Sequence, residues 1–64
     1  MKTFIEKTNY GYKVRTSESS VDFKKALNKN KKIEGFLSAP GTFEIYTEMN
    51  EEEFTNFARE YFYI

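Results

Sequence analysis

The 64-residue chain contains no cysteine, no histidine and no tryptophan, and only one proline and three glycines. Without cysteine there is no disulfide or thiolate to staple the fold, and without histidine the usual zinc and heme ligands are gone as well. The same two absences remove the commonest nucleophile and general base of enzyme active sites. Gly11, Gly35 and Gly41 stand alone, so the chain holds neither a dinucleotide-binding fingerprint nor a phosphate-binding loop. There is no apolar run of the roughly 18 residues needed to span a bilayer, and no signal-peptide pattern among Met1 to Thr8. These features lead us to expect a soluble, cytoplasmic protein that uses no cofactor or metal, touches no membrane and turns over no small-molecule substrate. Enclosing a pocket of several hundred Å³ as well as a core is hard for so short a chain. We therefore expect it not to be an enzyme.

A chain of this size forms one domain, residues 1–64, and buries only about 60% of its unfolded surface. Seven Phe and five Tyr supply the missing apolar material. Charge is balanced overall and divided along the chain. Residues 1–32 carry nine bases against three acids, a net +6, and residues 33–64 carry one base against seven acids, a net −6. Taken as two lobes of opposite sign, the halves would favour a homodimer in which the basic part of one copy meets the acidic part of the other; alternatively, the same charges neutralise each other within one monomer.

Lys2 to Thr8 and Tyr10 to Thr16 alternate apolar and polar residues around Asn9, Tyr10 and Gly11, which reads as a β-hairpin with Tyr10, Tyr12 and Val14 on its core face. Ser19 and Asp22 approximate a capping box, after which Phe23, Ala26, Leu27 and Asn30 form one stripe of a helix ending near Asn30. Lys32 to Ala39 and Thr42 to Glu48 repeat the hairpin around Pro40 and Gly41. Asn50 then caps a second helix with Glu53 at its third position, Met49 and Phe54 as a staple, and Phe54, Phe57, Ala58 and Tyr61 as the buried stripe, with Ile64 at its edge. Shifting the chain by 31 residues aligns Tyr12 with Phe43, Val14 with Ile45, Thr16 with Thr47 and Phe23 with Phe54. The expected fold is α+β, in the order ββαββα: a four-stranded, mainly antiparallel sheet with both helices on one face and an internal pseudo-two-fold.

Two surfaces are candidates for function. The first is an aromatic and acidic patch on the last helix, built from Glu51, Glu52, Arg59, Phe62 and Tyr63, with rings at the centre and charge at the rim as protein interfaces favour. It makes the chain a small protein-binding module, an inhibitor or adaptor that covers a partner's surface, and its acids suit a partner with a basic surface. The alternative is nucleic-acid binding by the basic half. Lys24, Lys25, Lys29, Lys31 and Lys32, joined by Lys13 and Arg15, would contact phosphates while Tyr46, beside Phe36 or another ring, stacks on bases.

Overall fold

A computed structural model describes residues 3–63. Six elements follow one another: β1 (Thr3–Lys7), β2 (Gly11–Thr16), α1 (Val21–Lys29), β3 (Ile33–Ala39), β4 (Thr42–Thr47) and α2 (Glu51–Arg59). The strands form a single antiparallel sheet in the order β1-β2-β4-β3. Expected positions Lys2 and Ile64 lie outside the described residues.

Alternation sends one side chain of each strand pair to either face of the sheet. Tyr12, Val14 and Thr16 of β2 and Phe43, Ile45 and Thr47 of β4 point to the helices and are buried. Phe23 and Leu27 of α1 and Phe54 and Ala58 of α2 close the core from the other side. Both helices thus cover the same face, as the periodicity predicts. Phe23 is the hub of the ring cluster, with Phe43, Phe57, Tyr61 and Phe62 at centroid distances of 5.4, 5.7, 5.7 and 4.8 Å.

The 31-residue repeat reappears in the backbone. Lys13 pairs with Glu44, its own counterpart under the shift, so the pseudo-two-fold axis runs through that pair, and Tyr12–Ile45 maps onto Val14–Phe43. Thr16 N–H donates to the Gly41 carbonyl at 2.9 Å just as Thr47 N–H donates to that of Tyr10 at 3.0 Å. Glu18 N–H donates to Thr16 Oγ1 as Met49 N–H donates to Thr47 Oγ1. The symmetry lapses at a bulge between Ile33 and Gly35.

Each helix packs on the strands of the other half. Phe54 of α2 stacks on Tyr12 of β2, with ring centroids 4.1 Å apart and planes 5° from parallel, whereas Phe23 of α1 meets Phe43 of β4 edge to face. The acidic helix α2 consequently lies over the basic hairpin, where Glu51 and Thr55 flank Thr3, Ile5 and Lys7. The basic helix α1 lies over the acidic hairpin, with Leu27 and Asn28 beside Ile33, Glu34 and Phe36. Two lobes of opposite sign were expected; crossing of the helices mixes the charges instead.

Two local readings are also corrected. α1 begins at Val21 behind Ser20, whose side chain makes no capping bond, in place of the Ser19–Asp22 box. At α2, by contrast, Asn50 Oδ1 accepts from Glu53 N–H at 2.7 Å, and Met49 and Phe54 are both buried. Tyr10 leaves the core face because Gly11 interrupts the alternation with a φ of +156°. A Cβ at Gly11 would stand 2.0 Å from the Ile45 carbonyl oxygen, a contact with backbone that cannot move aside. Gly11→Ala is expected to destabilise the domain by about 1–3 kcal/mol or more, measured by urea denaturation. Gly35→Ala, whose Cβ would meet only the Tyr46 ring at 3.7 Å, serves as the tolerated control.

Candidate functional site: the open face of the sheet

One face of the sheet is covered by helices and the other is not. Strand register places three cross-strand rows on the uncovered face: Phe4–Arg15–Thr42–Ala39, Glu6–Lys13–Glu44–Leu37 and Gly11–Tyr46–Gly35. Phe4, at the β1 end of the first row, and Leu37, at the β3 end of the second, are each 58% exposed. Tyr10, displaced to this face, tilts against Tyr46 with centroids 4.8 Å apart, and its hydroxyl donates to the Glu44 carboxylate. A surface of exposed rings around alternating charges is the result. No sequence pattern marked Phe4, Tyr10 or Leu37 as a group, because their convergence depends on strand order and on the turn at Gly11.

The expected aromatic and acidic patch is divided by the fold. Phe62 is 5% exposed and wedged against Phe23, so it is a core residue and not an anchor for a partner. Its neighbour Tyr63 is 86% exposed and stands with Arg59 and Glu60 at the end of α2. Glu51 and Glu52 are exposed at the opposite end, where they complement the helix dipole. About 12 Å of helix axis separates Glu51 from Arg59 at 1.5 Å per residue.

The basic residues divide too. Lys13, Arg15 and Tyr46 share the open face, while Lys24, Lys25 and Lys29 lie on α1 in the helical layer and Lys31 and Lys32 in the loop after it. Lys32 is bound to Glu53 in an ion pair that joins the two halves. Phe36 faces the helices, 6.4 Å from Phe43, so the ring beside Tyr46 is Tyr10 and not Phe36. Glu6 and Glu44 stand directly on either side of Lys13, leaving the open face without net positive charge.

Two phenols are displaced from their ordinary value of 10.0. Tyr10 is held above it chiefly by its bond to Glu44, then by partial desolvation and by the negative charge of Glu44. Tyr12 is raised first by burial and then by the charges of Glu51 and Glu53. Its hydroxyl donates to the Met49 carbonyl at 2.6 Å, tying β2 to the residue that precedes the cap of α2. Among the described residues no group of carboxylates is arranged to hold a metal ion, and no helix is long and apolar enough to cross a membrane. Comparison with protein-family models, curated protein sequences and solved structures gave no match.

Since the folded state holds the Tyr12 proton more tightly than the unfolded chain, its contribution to stability is complete below pH 10 and is lost as pH rises from 10 through the folded value. Tyr12→Phe should cost about 1–2 kcal/mol at pH 7 by leaving the Met49 carbonyl unpaired. That deficit should shrink above pH 10, because the variant has no buried phenol at this position to ionise. Denaturation curves of both proteins at pH 7 and above pH 10 check the sign.

Proposed function

We propose that the chain is a small non-enzymatic protein-binding module, an inhibitor or adaptor, which engages a partner protein through the open face of its sheet. The observation that carries this reading is the exposure of Phe4 and Leu37 on opposite edge strands of the face that carries the Glu6–Lys13–Glu44 row, beside the Tyr10–Tyr46 pair. Exposed rings and aliphatic groups interleaved with paired charges are the composition that protein interfaces use for anchors and rims. A phosphate backbone would meet Glu6 and Glu44 on either side of Lys13, which disfavours the nucleic-acid alternative even though Lys13, Arg15 and Tyr46 do share the face. Displacement of Tyr10 and Tyr12 away from neutrality runs opposite to what a general base or nucleophile working near pH 7 requires. The partner's matching surface carries both signs of charge at its centre with apolar groups around them.

Affinity capture from the native host tests the proposal, using the wild-type chain, Phe4→Asp and Tyr63→Ser. A protein retained by wild type and by Tyr63→Ser, and weakened about tenfold or more by Phe4→Asp, supports the open face. Retention that survives Phe4→Asp and fails with Tyr63→Ser would transfer the site to the end of α2. Binding of random oligonucleotides that weakens steeply with added salt would replace the protein partner with nucleic acid.

A further inference from the structure

The two edges of the sheet differ in chemistry. β1 ends in Glu6 and Lys7, charges of the kind that deter another strand from pairing there. β3 carries no charge from Gly35 to Ala39, is regular beyond the bulge at Ile33/Gly35, and exposes Leu37, Ser38 and Ala39. Over those five residues it lacks the devices that blunt an edge, the bulge and Glu34 lying before them and Pro40 after them.

The hairpin geometry shows which peptide groups this edge offers. Ala39 pairs with Thr42 across the two-residue loop Pro40-Gly41, so its peptide bonds inward to β4. By alternation, Leu37 and Gly35 also bond inward, while the N–H and C=O of Phe36 and Ser38 point outward without a strand to meet them. We infer that β3 is the docking edge for the β3 strand of a second copy, paired antiparallel about a two-fold axis through Leu37.

That register sets Phe36 opposite Ser38 of the second copy and Gly35 opposite Ala39, so all four outward-pointing residues of the two strands exchange hydrogen bonds. Leu37, 58% exposed in the single chain, meets its own counterpart on the open face. The five residues from Gly35 to Ala39 are uncharged in both directions from the axis, and no like charges are brought together within them. Zero net charge removes long-range repulsion between copies as well. The product is a closed dimer with one eight-stranded sheet whose open face is continuous. Pairing β3 with β1 of the next copy would instead set the uncharged edge against Glu6 and Lys7, and would propagate without closing. A strand edge and one leucine pair bury little area, so the dimer is a weak one.

This inference does not depend on a protein partner for the open face, and its test leaves Phe4 untouched. Sedimentation equilibrium from micromolar to millimolar concentration is expected to show a reversible transition from 7.6 kDa to twice that mass. Leu37→Lys should weaken it by about tenfold or more, through lost leucine burial and like charges on the axis. Ser38→Pro, which removes an outward N–H, should do the same, and circular dichroism establishes that each variant is folded. A chain that remains at 7.6 kDa throughout overturns the inference. So does a dimer indifferent to both substitutions, or growth into open-ended assemblies.

Discussion

The antiparallel pair formed by β2 and β4 is the constraint on which the rest of this structure depends. A two-stranded hairpin is at best marginal in water, and each half of this chain has only one. Joining β2 to β4 makes a four-stranded sheet and creates the surface on which Tyr12, Val14, Phe43 and Ile45 are buried together. At Gly11 the absence of a side chain lets the strand approach Ile45. From this pair the helices cross, α2 onto β2 and α1 onto β4, so neither half contains the partner for its own helix.

Interpenetration gives the charge division a physical meaning that lobes of opposite sign would not. Within one molecule the +6 half and the −6 half are each other's nearest neighbours, meeting at Lys13–Glu44 in the sheet and at Lys32–Glu53 between loop and helix. An exposed ion pair such as Lys32–Glu53 adds only about 0–1 kcal/mol, so it contributes little to stability. What remains on the exterior is mixed in sign. The sequence pattern and the open face are therefore two aspects of one arrangement: charges of both signs are mixed over the exterior, and the exposed rings stand out on the open face.

Much of the fold was legible because local chemistry and tertiary packing agree. The period-two runs, the Pro40-Gly41 turn and the Asn50 cap each specify one conformation, and the structure has all three. The 31-residue offset, visible in the sequence as aligned apolar positions, reappears in paired hydrogen bonds at Thr16 and Thr47. Residues were misplaced where a distant neighbour decides. Tyr10 reads as a core residue by alternation, yet the close approach of Gly11 to β4 turns it outward. Phe62 reads as surplus on a helix already supplied with an apolar stripe, yet Phe23 lies where it can cover it. Strand order is not written in periodicity, so the grouping of Phe4, Leu37, Tyr10 and Tyr46 on one face could not be read from the chain alone.

Mutual dependence of the halves can be measured by preparing residues 1–32 and 33–64 as separate peptides and following their circular dichroism alone and at equal concentration. Crossed packing predicts that each is largely unstructured by itself, that the mixture acquires strand and helix signals together, and that added salt slows their association. A half that folds on its own, or a mixture whose spectrum equals the sum of its parts, would contradict the account.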